Sequence, residues 1–184
     1  MPRPKNPKSP SPRTPRRKTT SLRAKLSQRL RTAKRVAVLA VGSELRADDA
    51  AGLLVAVHLR KALRGSGSKV RILLGETAPE NFTGQIRDYQ PTHLVIIDSA
   101  EMGGTPGRIA LLDVDRISDT AGFCTHSLPL TLMVHYLRGS FPFETIILAI
   151  QPRSIEFGKP VSLPIARAAK SLAADIAKAV APHR

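Results

Sequence analysis

The stretch V-A-V-L-A-V-G-S-E-L-R-A-D-D-A-A-G, from Val36 to Gly52, decides the fold. Its first six residues are all apolar, without the alternation of a strand that has one wet face, and so predict a strand covered on both sides. A glycine, a short polar loop and two aspartates follow, and then a helix begins. Val55, Leu59, Ala62 and Leu63 continue at helical spacing up to Gly65, which marks a stop. A strand that feeds a helix through a short loop is half of a βαβ unit, so a parallel sheet is expected.

The rest of the chain repeats that rhythm. Further strands are predicted at Val70–Leu74, Leu94–Ile97, Ile109–Leu112 and Thr145–Ile150. Between them, a weaker helix spans Glu80–Tyr89, with Gly84 inside it. Leu130, Met133, Val134 and Leu137 form an apolar stripe ahead of Gly139. A last helix opens with Ser162 as its cap and Pro164 in its first turn, then lines up Ile165, Ala169, Leu172, Ile176 and Val180. The alternation predicts an α/β fold over residues 35–184: a three-layer α/β/α sandwich with a mostly parallel five-stranded sheet.

With 184 residues, 42% of them hydrophobic, the chain can fill one core. No apolar run approaches the roughly 18 residues of a membrane span. A single cysteine, Cys124, excludes an internal disulfide. Arg16-Arg17 is followed by no apolar segment, so it makes no export signal. The expectation is a cytoplasmic protein without membrane insertion.

The net charge of +15 suggests nucleic acid until it is divided along the chain. Residues 1–34 hold 12 Lys and Arg and no acid, leaving 17 basic against 14 acidic groups in the remainder. Residues 1–20 contain six prolines and almost nothing apolar, a composition read as disordered. Residues 21–34 place Leu22, Leu26, Leu30 and Ala33 on one stripe of a basic amphipathic helix that leans on the domain. Such a tail attracts nucleic acid, anionic lipid or an acidic partner surface through salt-sensitive electrostatics, or it is a solvated extension. It lacks the aromatic platforms of single-strand binders, which favours the extension.

Three residues are the candidates for chemistry. Asp49 follows the first strand, Asp98 closes L-V-I-I-D, and His126 lies in C-T-H-S-L-P-L just ahead of a helix. In a parallel sheet these positions share the carboxyl edge, where ligand crevices form. Two carboxylates and an imidazole make an O/O/N donor set suited to nickel, zinc or iron with positions left open. The bland reading also stands, since Asp48-Asp49 can be a helix cap with a first-turn acid and His126 can serve local backbone groups. Cys124 lies two residues from His126, but such neighbours often point apart, and it reads as a buried, inert thiol. The glycines of 42–52 do not have the G-x-G-x-x-G spacing of a dinucleotide site. His58, His93, His135 and His183 read as structural or exposed, and Gln151 as a secondary residue of the same cleft.

Four segments in order resemble the hydrogenase maturation endopeptidases of the HycI type: G-S-E-L-R-A-D-D-A-A-G at 42–52, E-T-A-P-E-N-F-T-G at 76–84, V-I-I-D-S-A-E-M-G-G-T-P-G at 95–107 and T-H-S-L-P-L at 125–130. A fifth, A-I-Q-P at 149–152, is similar to the segment after the family's late strand. The resemblance runs from about Arg35 to the C-terminus. It implies an endopeptidase that removes a C-terminal extension from the large-subunit precursor of a nickel-iron hydrogenase after nickel insertion. It further implies that Asp49, Asp98 and His126 bind metal and serve catalysis. The nickel would be the substrate's own, with zinc or another divalent ion taking its place in isolation. Ser43 and Ala50 stand where the family motif usually has Asn and Gly, and Ala50 fits if that position is helical. The other functional readings are a nucleic-acid-binding protein acting through its tail and a metal-dependent hydrolase of small amides or esters.

Overall fold

The structure, a computed structural model, describes residues 21–112 and 127–181. Val36–Val41 forms β1, with all six residues buried, as an unbroken apolar run requires. The other strands are β2 (Val70–Glu76), β3 (His93–Ser99), β4 (Ile109–Leu112) and β5 (Glu144–Ile150). Among the described residues they form one sheet in the order β2-β1-β3-β5-β4. β1 pairs in parallel with β2 and β3, and β3 with β5. β4 runs antiparallel to β5, with Ile109 opposite Ile150 and Leu112 opposite Ile147. The chain therefore leaves β1 to one side for β2 and recrosses to β3 on the other, which puts a topological switch point between β1 and β3.

Helices cover both faces, completing the predicted sandwich. They are α1 (Leu22–Leu30), α2 (Ala51–Ala62), α3 (Thr83–Tyr89), α4 (Ser127–Arg138) and α5 (Leu163–Ala179). Val95 and Ile97 of β3 point into the layer that holds α1, α2 and α5. Leu94 and Ile96 point the other way, against Ile86 of α3 and Leu130, Met133, Val134 and Leu137 of α4. This is the period-two alternation of a strand buried on both sides.

Local sequence explains the element ends. Ser21 caps α1, its hydroxyl accepting from the Ala24 N–H at 3.3 Å. Leu26 and Leu30 are buried where α1 packs on α5, and Arg29 ties the helix to the sheet by donating to Glu144 at 2.6 Å and to the Thr145 carbonyl at 2.8 Å. The Glu80–Tyr89 helix splits into a 3-10 turn, Pro79–Phe82, and α3. Ser162 occupies the cap position of α5 with Pro164 behind it, but makes no side-chain bond to its own helix. Its hydroxyl goes instead to the Asp48 carboxylate.

Gly52 is required by close approach. A Cβ there would lie 2.4 Å from the carbonyl oxygens of both Val41 and Ile97, so the start of α2 presses directly on the ends of β1 and β3. His93, by contrast, is buried at the amino end of β3, with Nδ1 3.0 Å from the Thr92 hydroxyl. Its Nε2 lies 3.2 Å from Glu144 without hydrogen-bond geometry, which makes the residue structural and remote from the carboxyl edge. Among the described residues no helix is long and apolar enough to cross a membrane.

Candidate active site

β1 ends at Val41, and the chain turns at Gly42 into a loop that closes as a 3-10 turn, Ala47–Ala50. Gly42 has φ +128°, and a Cβ on it would lie 1.8 Å from the Asp49 carbonyl oxygen. The loop therefore folds back on itself and delivers two consecutive carboxylates, Asp48 and Asp49, 1% and 2% exposed. A buried carboxylate needs donors, and each of these finds its own.

Asp49 faces the switch point. Its Oδ2 accepts from the Ser43 N–H at 2.9 Å and its Oδ1 from the Ser99 hydroxyl at 2.7 Å. Asp98, the fully buried penultimate residue of β3, accepts at Oδ1 from the Ser99 N–H at 2.8 Å. Ser99 thus binds both carboxylates and brings the ends of β1 and β3 to one point. A carboxylate oxygen has two lone-pair sites, so these bonds orient Asp49 without exhausting its capacity to accept.

Asp48 faces away. Its Oδ2 accepts from the N–H groups of Arg153 and Ser154, at 2.8 and 3.4 Å, and from the Ser162 hydroxyl at 2.9 Å. Its Oδ1 accepts from the Ser162 N–H at 2.6 Å. The structural role open to the aspartate pair thus falls to Asp48, which binds the start of α5 rather than of its own helix. Ala50 has φ −68° and ψ 1°, a right-handed conformation in which alanine is at ease where the family motif usually has glycine. The positive φ of this turn belongs instead to Ala47, at 45°.

Gln151 is 2% exposed, and its amide is committed to holding loops. Oε1 accepts from the Met102 N–H at 2.6 Å, while Nε2 donates to Glu101 at 2.8 Å and to the Pro152 carbonyl at 3.0 Å. It fastens the segment that follows Asp98 to the end of β5.

His126, Cys124 and His183 lie outside the described residues, as do residues 1–20. His126 immediately precedes α4 in the sequence. α4 ends at Arg138, which reaches Thr145 near the start of β5 at 3.5 Å, so the helix begins at the carboxyl edge of the sheet. By strand parity, Asp98 belongs to the same face as Leu94 and Ile96, which α4 covers. Among the described residues no three His, Cys, Asp or Glu side chains group as metal ligands. The structure thus unites two of the three predicted residues and adds Ser99 and Ser43. The only trace of Ser99 in the sequence is its place after Asp98 at a strand end.

A doubly wound α/β domain with two buried carboxylates fixed at its switch point defines the class of protein. A family model, HycI: Hydrogenase maturation protease, matches residues 53–179. A putative hydrogenase maturation protease of Methanocaldococcus jannaschii is 34% identical over 140 residues, 72% of this chain and 80% of that one. The hydrogenase 3 maturation protease of Escherichia coli K12 is 35% identical over 135 residues, 73% of this chain and 84% of that one. Among solved structures, the crystal structure of the NiFe hydrogenase maturation protease HycI from Thermococcus kodakarensis KOD1 superposes with a TM-score of 0.76 at 27% identity, covering 84% of this chain and 97% of that one. The chain belongs to the hydrogenase maturation protease family and is an endopeptidase.

Proposed function

We propose that this endopeptidase acts in the cytoplasm on the large-subunit precursor of a nickel-iron hydrogenase, removing its C-terminal extension once nickel has been inserted. The Ser99 bridge between Asp49 and Asp98 carries this reading, because it assembles two oxygen donors at the switch point on the carboxyl edge of the sheet, the edge where α/β folds bind ligands. His126, which immediately precedes α4 in the sequence, would supply the nitrogen donor. Together they read the nickel of the precursor, and zinc or another divalent ion binds the same residues in the isolated protein. The chemistry of the donor set suits this: oxygen and imidazole ligands fit a borderline divalent ion and leave positions for groups of the substrate.

An ion held by these residues would supply Lewis-acid polarisation of the scissile carbonyl. The protein's own contribution is orientation. Ser43 and Ser99 fix the Asp49 carboxylate, and α2, seated against Val41 and Ile97 through Gly52, fixes the turn that bears it. The substitutions Asp49→Ala, Asp98→Ala and His126→Ala should each abolish precursor processing while the circular dichroism spectrum stays that of the folded protein. Processing at the wild-type rate by any one of them removes that residue from the site.

A further inference from the structure

Asp48 stands beside the proposed ligand Asp49 but looks in the opposite direction, and its four acceptor contacts are unusually complete. Three of the four donors are backbone N–H groups, two just after β5 and one at the start of α5. The Asp48 N–H in turn donates to the Ser154 carbonyl at 3.1 Å, and the Gly158 N–H to the Leu45 carbonyl at 2.8 Å. The turn that carries Asp49 is therefore laced to the 153–162 loop from both sides. Within the turn the Asp49 N–H donates to the Arg46 carbonyl at 2.9 Å and the Ala51 N–H to the Asp48 carbonyl, while Ala47 holds a left-handed conformation that an alanine does not favour. A one-turn segment that carries a strained residue is held in shape by what it is anchored to.

We propose that Asp48 is a positioning residue for peptide hydrolysis: by pinning the Ala47–Ala50 turn to the 153–162 loop and the start of α5, it sets the rotation at which the Asp49 carboxylate is presented to Ser99 and Asp98. The inference rests on the proposed role of Asp49. Asparagine is a poor substitute at 48. Whichever way its amide is turned, an NH₂ group meets a backbone N–H that now finds an oxygen, so at least one anchor is lost and the turn is released. The displacement this produces is of the size that costs catalysis without disturbing binding, because misplacement by about 1 Å can slow a reaction by on the order of 100-fold.

The test is steady-state cleavage of the nickel-loaded large-subunit precursor by Asp48→Asn, by Ser162→Ala and by the wild type, at a temperature where circular dichroism shows each fully folded. The expected result is a kcat lowered about 10- to 100-fold for Asp48→Asn with KM within about twofold of wild type. Ser162→Ala keeps the three backbone anchors and should hold a wild-type kcat. If Asp48→Asn does not fold, Asp48→Glu takes its place, with the charge kept and the oxygens moved one methylene outward, and the same split is expected. An unchanged kcat in the folded variant makes Asp48 a stability residue only, and a raised KM with an intact kcat makes the loop a binding element. Either overturns the proposal. Wild-type protein that leaves the precursor uncut instead overturns the function on which it rests.

Discussion

The Ser99 hydroxyl donates to Oδ1 of Asp49 at 2.7 Å, across the gap between the ends of β3 and β1. Since the Ser99 N–H also serves Asp98, one small residue sets the spacing of two buried carboxylates. Ser99→Ala keeps the N–H and removes the hydroxyl. It should cost about 1 kcal/mol of stability by urea titration and slow precursor processing about tenfold or more. Unchanged processing would mean that Asp49 is oriented by Ser43 alone.

The seating of α2 is testable at Gly52. A methyl group there collides with two main-chain carbonyls that belong to the site strands and cannot swing aside. Gly52→Ala should lose about 3 kcal/mol or more, seen as a large fall in the denaturation midpoint. A midpoint within about 1 °C of wild type would show that α2 can retreat from the sheet edge at no cost.

Helix α1 belongs to the domain although its composition belongs to the basic tail. Leu26 is fully buried, so Leu26→Ala should destabilise by about 2–4 kcal/mol. Arg23→Ala breaks a contact with Asp175 at 3.8 Å on a side chain that is 59% exposed, and should change stability by less than about 0.5 kcal/mol. Equal losses from both would contradict the burial of this stripe.

Tyr89 provides a pH signature. Its hydroxyl donates to the Lys69 carbonyl at 2.9 Å and the Arg71 guanidinium lies 4.4 Å over its ring. Burial pushes the phenol pKa above its ordinary value near 10, with Arg71 and Arg35 opposing. The folded state therefore holds this proton more tightly than the unfolded chain. Its contribution to stability is complete below the unfolded value of about 10 and is lost as pH rises through the higher folded value. Between about pH 9 and 11, Tyr89→Phe should lose less stability than wild type; parallel losses would show that the phenol does not titrate differently on folding.

Much of this was legible because the residues concerned obey local rules. The run Val36–Val41 could only be a strand covered on both faces, and the alternation that follows it leads to a doubly wound sheet. The direction of β4 was not legible: four half-buried residues pair equally well either way, and only the partner strand decides. Asp49 and Asp98 stood out as acids at strand ends, and strand order then placed them together. The division of labour between Asp48 and Asp49 was hidden, since it depends on Arg153, Ser154 and Ser162, more than a hundred residues away in the chain. Ser162 illustrates the same limit, having the cap position by local pattern and a distant carboxylate as its actual partner.

Under the proposed function, cleavage waits for nickel in the precursor. The most direct measurement mixes the purified protein with its hydrogenase large-subunit precursor, with and without inserted nickel, and follows the precursor's mass. The expected result is loss of one discrete C-terminal peptide from the nickel-loaded precursor and an unchanged mass for the nickel-free one. Equal cleavage of both, or none of the verified nickel-loaded form, would contradict it.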